Sequence, residues 1–241
     1  LESLDPAMLD GLVLALPHHR YTEAWDALLA LGLPILKEKP LGRSFDEALS
    51  LLDRARAAGC PVQTAIQRRH HPSYRLLKQT LETGRIEVRE VHAHMHLGFT
   101  ATTGGVESWR DKRHQAGGGA LLDAGYHLVD LLHFMFGPFD LVSASLWRNG
   151  QPIGDNEIDE RAWLTGRAEK GWIMLDSWLA GQPDPKTGKP MKSERLILKT
   201  SQGIWEANRE GIWHDELRVA TTDREWHQAM AGQLDGFAAH I

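Results

Sequence analysis

Asp123 and His127 stand four residues apart, and Asp130 follows three further on. On a helix such positions share one stripe, one above the other. The surrounding residues (Leu121, Leu122, Leu128, Val129, Leu131, Leu132, Phe134, Met135, Phe136) are apolar nearly all round, so this helix is expected to be buried. Buried carboxylates and imidazoles cost several kcal/mol unless they are paired or used. Three on one stripe point to a site. An imidazole can exchange a proton near neutral pH, and a carboxylate one turn away can orient it or bind hydroxyls. The plainer alternative is a core histidine satisfied by its aspartate.

The elements that must position these groups can be read from the apolar pattern. Gly11 to Leu16 is a short apolar run stopped by Pro17, as expected of a buried parallel strand. Helical spacing runs from Tyr21 to Leu31, with Gly32 as its stop. Pro34-Ile35-Leu36 is a second strand. Ser44-Phe45-Asp46-Glu47 is a capping box that opens a helix reaching Gly59, and Val62 to Ile66 is a third strand. This alternation is the pattern of a doubly wound α/β sheet with right-handed crossovers. Ligands of such sheets bind beyond the carboxyl ends of the strands, where Pro17-His18-His19 and Glu38-Lys39-Pro40 lie. On pattern alone, the favoured reading of Lys39 is a surface lysine in a turn.

Beyond Ile66 the character changes. Pro72 to Glu82 reads as a helix closed by Gly84, and Ile86 to Leu97 as a long alternating strand. A Gly/Thr-rich loop follows from Gly98 to Gly105. The buried helix runs from Ala120 to Phe136 and is stopped by Gly137-Pro138. Five strands are then expected at Asp140–Trp147, Ile158–Arg167, Gly171–Leu179, Glu194–Thr200 and Ile212–Thr221, with an exposed loop at Gly181–Lys192 and a helix after Asp223. The fold class is therefore α/β plus α+β: a partial doubly wound parallel sheet, then a large, open, mostly antiparallel sheet with a buried helix.

Composition excludes several classes. Hydrophobic content of 42% and charge of 24% are those of an ordinary globular chain. Net charge is −5 with scattered basic residues, so neither a nucleic-acid nor a membrane surface is expected. No apolar run approaches the ~18 residues of a membrane span, and no signal peptide is read, so a cytoplasmic setting is expected. The single cysteine, Cys60, reads as a small buried residue. His92, His94 and His96 alternate along one strand and face one side. At about 6–7 Å apart in a line they cannot close one tetrahedral metal site unaided, so no metal is assigned. A polar sheet face, an oligomer interface or a substrate-facing surface are the readings left open for them.

Together, Glu38-Lys39-Pro40 and the Asp123-x-Gly125-x-His127 helix resemble the Gfo/Idh/MocA family of nicotinamide-dependent oxidoreductases. The resemblance runs from the strand ending at Leu16 to the closing strands. It implies part of a dinucleotide-binding (Rossmann) domain over residues 1–67 and a substrate-binding, dimerising domain over 68–241. It also implies NAD or NADP as cofactor, and hydride transfer to or from a secondary alcohol of a sugar, cyclitol or related polyol. Lys39, His127 and Asp123 match the catalytic positions, and Pro17, His18, Glu38, Lys39 and Pro40 the cofactor neighbours. Arg110, Asp123 and His127 match substrate contacts, and Asp130 a supporting position behind the site. The Lys39–Pro40 bond is implied to be cis. Tyr21 stands where relatives carry a histidine after Thr-Pro, and His71-Pro72 also departs from the common residues.

No G-x-G-x-x-G occurs in the sequence, so the first half of a dinucleotide fold is expected to be missing. The Gly117-Gly118-Gly119 run follows a loop, and is read as a hinge-like backbone that lets cofactor or substrate approach closely. Two rival readings stand beside the enzyme. One is a catalytically silent binding or dimerisation module, and the other a His/Asp metal-dependent hydrolase. A homo-oligomer through the open sheet is expected because such a face must be covered.

Overall fold

A computed structural model of the chain describes residues 5–98, 108–169, 171–179, 186, 188 and 192–240. The expected loop at Gly98–Gly105, apart from Gly98, and most of Gly181–Lys192 lie outside the described residues. Strands β1 (Leu12–Leu14), β2 (Ile35–Glu38) and β3 (Val62–Ala65) form a parallel sheet in that order, crossed by helices α1 (Tyr21–Leu29) and α2 (Phe45–Ala57). Apolar residues that recur every third or fourth position on the two helices meet the sheet. Trp25, Leu28 and Leu51 pack with Leu12, Ile35 and Cys60 in one core. Trp25 Nε1 donates to the Leu51 carbonyl at 3.0 Å, so its polar atom is satisfied. Cys60 is buried as expected, and burial pushes its thiol up.

The capping box is only half formed. The Ser44 hydroxyl accepts from Glu47 N at 3.2 Å, but Glu47 turns its carboxylate to Arg43, accepting from its backbone N at 2.6 Å and from its guanidinium. Although burial opposes it, these bonds hold the Glu47 carboxyl down to about 2.

Helix α3 (Pro72–Thr83) leads into β4 (Val88–His96), the centre of a nine-stranded sheet. A one-turn helix α4 (Arg113–Ala116) and the long helix α5 (Tyr126–Phe136) precede β5 (Phe139–Arg148), β6 (Gln151–Pro152), β7 (Arg161–Ala168) and β8 (Gly171–Trp178). Next come β9 (Ser193–Thr200), β10 (Gly203–Asn208), β11 (Gly211–His214) and β12 (Leu217–Thr221), and finally α6 (His227–Ala238). The strand order is β12-β11-β10-β9-β4-β8-β7-β5-β6, with β4–β8 its parallel pair and the other pairs antiparallel. Strand β10 was not expected from sequence, and the single strand expected at Ile212–Thr221 is a hairpin. Asp215 and Glu216 sit at its tip with positive φ, a turn that their residue types do not announce.

One face of the large sheet is the main core, where Val91, Met95, Ile173, Leu175 and Leu198 meet Tyr74, Leu77, Leu128, Leu131 and Leu132 of α3 and α5. Helix α6 returns to the small sheet, and Phe237 packs on Leu36 and Ala65. That face of the three-stranded sheet is thereby covered over β2 and β3, whereas Val13 of β1, in register with Leu36, is 64% exposed.

Candidate active site

Beyond β2 the chain turns through a cis Lys39–Pro40 bond. Glu38 accepts from Lys39 N at 3.1 Å across this turn. Lys39 then reaches the other sheet's helix. Its Nζ donates to the Asp123 carbonyl at 3.0 Å and pairs with Asp123 Oδ1. The chain thus joins residues 84 positions apart, with the Lys39 side chain 14% and the Asp123 side chain 24% exposed.

The helix bearing Asp123 does not begin as an α-helix. Leu121–Gly125 is a π-turn, and α5 starts only at Tyr126. Such turns recur at functional sites because they re-aim side chains. Here Asp123 faces Lys39 and makes no hydrogen bond to His127, so the expected orienting of the imidazole by Asp123 is not found. His127 is 8% exposed and its Nδ1 has no hydrogen-bond partner. Burial drives its pKa well below 6.5, and the charges of Arg68 and Lys39 add to this, so the ring is neutral at neutral pH.

What holds this turn in place was largely missed from sequence. Asp159, just before β7 and 2% exposed, accepts from Gly119 N at 2.8 Å and Leu121 N at 2.7 Å. Its own carbonyl accepts from Ala120 N at 2.8 Å. A Cβ on Gly119 would lie 1.9 Å from that carbonyl oxygen, and one on Gly117 (φ +85°) 2.4 Å from the Arg43 carbonyl. Gly117 and Gly119 therefore admit the chain's own backbone, while at Gly118 the nearest neighbour is the Leu122 side chain. Gly125 likewise lets Leu121 and Ser177 approach. The sequence signal for Asp159 was a carboxylate placed at the head of an expected strand.

Behind the site, Arg69 makes two bonds to the Asp130 carboxylate, which gives Asp130 a supporting place. Arg68, 6% exposed, forms a two-pronged pair with Glu194, each bond 3.0 Å, and Tyr74 donates to the same carboxylate at 2.7 Å. Burial opposes ionisation of Glu194, but Arg68 holds its pKa below the ordinary value. Nothing in the local sequence pairs residues so far apart.

Pro17 leads into a single 3-10 turn at His18–Arg20. His18 Nδ1 meets the Ala116 carbonyl at 2.8 Å and its ring packs edge-on to Trp109 at 4.6 Å. Burial lowers its pKa. Arg110 is exposed and lies over the Trp109 ring, 4.4 Å from its centroid. Tyr21, 1% exposed, is buried beneath the strand ends rather than turned towards a ligand. On the opposite sheet face, His96 bonds Asp176 at 3.0 Å and His92 pairs with Glu90. No cluster among the described residues could hold a metal ion.

Residues 74–184 match the profile of the GFO/IDH/MocA C-terminal domain. The chain belongs to this family. A relative in Amycolatopsis mediterranei (strain S699), named for an oxidoreductase subunit of UDP-kanosamine synthase, is 32% identical over 202 residues, or 76% of this chain and 55% of the relative. Levoglucosan dehydrogenase of Pseudarthrobacter phenanthrenivorans is 28% identical over 167 residues, or 68% of this chain and 43% of the enzyme. The 3-ketoreductase KijD10 from Actinomadura kijaniata, solved with NADP and TDP-benzene, superposes with a TM-score of 0.76 at 20% identity, covering 98% of this chain and 73% of its own. A levoglucosan dehydrogenase solved with NADH and levoglucosan gives 0.73 at 22% identity, covering 86% and 57%. The chain spans about half the length of the curated relatives it matches. Among the described residues no helix is long and apolar enough to cross a membrane.

Proposed function

We propose that this chain carries the nicotinamide end and the substrate side of an NAD- or NADP-dependent oxidoreductase, acting on a secondary alcohol of a sugar, cyclitol or related polyol. The observation that carries it is the meeting of Lys39 with Asp123 beside a buried, neutral His127 whose Nδ1 is unpartnered. A buried polar atom left without a partner is costly, and a ligand hydroxyl would satisfy it. Those groups fit the reacting end of a nicotinamide cofactor with its alcohol. Pro17, His18, Glu38, Lys39 and Pro40 would line it. The sequence holds no G-x-G-x-x-G for the pyrophosphate.

A bound nicotinamide would supply the hydride chemistry at the carbinol carbon, in either direction. The protein manages the proton. His127, neutral, takes the hydroxyl proton as the carbonyl forms and gives it back in the reverse direction. Lys39 donates to the same oxygen and stabilises the negative charge that develops on it. Asp123 holds Lys39 and accepts from a neighbouring substrate hydroxyl, and Arg110 contacts substrate from the rim. Residues 1–67 would serve the cofactor, and 68–241 the substrate and self-association.

A second reading, a dimerisation module without turnover, draws on the sheet face opposite the core, where Trp163 and Trp172 are 46% and 50% exposed. A homo-oligomer through that face is compatible with both readings. The deciding test is titration of the chain with NADH and NADPH, read by tryptophan quenching. Binding at micromolar concentration that Lys39→Ala weakens supports the enzyme. A folded chain that binds neither nucleotide, with or without polyol, rejects it.

A further inference from the structure

Lys37 lies on β2, the middle strand of the small sheet, and is 1% exposed. An ammonium in such a place loses its hydration and must be satisfied by the protein. Its strand neighbour on the same face, Ile35, simply joins the apolar core. Lys37 instead curls past the end of its own strand. Its Nζ donates to the Pro40 carbonyl at 2.6 Å and to the Glu38 carbonyl at 3.1 Å. These are the two carbonyls that bracket Lys39.

The ammonium also sits 3.5 Å from the centroid of the Tyr21 ring, a cation–π contact that compensates part of its desolvation. Tyr21 in turn binds the end of β1. Its hydroxyl donates to the Leu14 carbonyl at 3.0 Å and accepts from Leu16 N at 2.9 Å. The pair therefore ties together the two strand ends from which Pro17-His18 and Glu38-Lys39-Pro40 emerge. Burial pushes Lys37 down to about 7, offset in part by Glu47 and Glu38. A leucine or methionine would fill the same space without that cost.

We propose that Lys37, braced by Tyr21, is a positioning residue for the oxidoreductase reaction: by holding the carbonyls on both sides of Lys39 it fixes the backbone from which Lys39 reaches Asp123. A side chain's direction follows from its backbone angles, so freeing either carbonyl lets Lys39 swing away from its partner. This rests on the role given to Lys39 above, while the test below needs neither cofactor nor substrate.

The test is residue-resolved acetylation of the folded chain by an N-hydroxysuccinimide ester below neutral pH, where Lys37 keeps its proton, followed by peptide mass spectrometry. In Lys37→Met, Lys39 is expected to react about fivefold faster, the factor that corresponds to losing roughly 1 kcal/mol of local ordering. Lys78 and Lys199, remote from β2, should keep their wild-type rates and serve as internal controls. Loss of a neighbouring positive charge would by itself slow acylation of a nearby amine, so an acceleration reports lost positioning. Tyr21→Phe keeps the ring but removes the hydroxyl, and should raise the Lys39 rate about twofold; it decides the question if Lys37→Met does not fold. An unchanged or slower Lys39 in the variant that folds overturns the assignment. Failure to bind nicotinamide nucleotides would overturn the proposed activity and leave this result standing.

Discussion

Replacing Asp159 by alanine isolates what holds the turn that carries Asp123. The carboxylate is 2% exposed and accepts from two backbone N–H groups, Gly119 at 2.8 Å and Leu121 at 2.7 Å. Both belong to the start of a helix, where N–H groups have no partner within the helix itself. Bonds to a charged acceptor contribute ~1.5–3 kcal/mol each, and stranding a buried donor costs ~1–3 kcal/mol. Water cannot readily replace the carboxylate on Gly119, which is pressed against the Asp159 backbone at a separation no Cβ would allow. Two donors lost together give about 3 kcal/mol, allowing one of them partial hydration. For a chain of this size that is a fall in Tm of ~6–12 °C. Asp159→Asn keeps one acceptor but turns an NH2 towards the second donor, so it should fall between wild type and alanine. Thermal and urea unfolding of the three proteins measure the order directly. An Asp159→Ala chain within about 0.5 kcal/mol of wild type, the range of ordinary surface changes, would refute the claim that this cap holds the turn.

Gly119→Ala would place a Cβ 1.9 Å from the Asp159 carbonyl oxygen, so it should destabilise by roughly 3 kcal/mol or prevent folding, as urea unfolding or soluble yield would show. In a protein that turns over, Lys39→Ala and His127→Ala should each lower kcat by ~10²–10⁴ while circular dichroism stays unchanged; wild-type rates in either would remove that residue from the reaction. His94 provides a pH prediction. Burial, then the charges of His96 and Arg195, pushes it down to about 4 from its ordinary 6.5, against the attraction of Asp176 and Glu194. Between those values the unfolded chain binds a proton that the folded chain does not, so stability falls as pH drops through that window. Urea unfolding at about pH 7 and about pH 5 should therefore show a smaller loss for His94→Asn than for wild type; equal losses would show that His94 is not responsible.

Local patterns made much of the framework legible. A short apolar run stopped by Pro17 marked a parallel strand, and Gly32 marked the end of the helix after it, because strand and helix periodicity are properties of neighbouring residues. The same reasoning placed Glu38-Lys39-Pro40 at a strand's carboxyl end and His127 in a buried helix, where the structure has them. Less legible was the region after Gly203. The β11–β12 hairpin turns on Asp215 and Glu216 at positive φ, which glycine or asparagine would have announced.

The sequence by itself determined which residue types stand at the strand ends and on the buried helix, since periodicity and turn chemistry act over a few residues. Tertiary structure alone decided their partners. Asp123 was within reach of His127 along the helix, yet it pairs with Lys39 from 84 residues away once the π-turn re-aims it. Three glycines announced a close approach, and only the fold shows that Asp159 and Arg43 make it. Arg68 finds Glu194 across 126 residues because burying either charge alone would be prohibitive. Contacts of this kind are chosen by which surfaces the packed sheets bring together, and no local pattern in the chain encodes that choice.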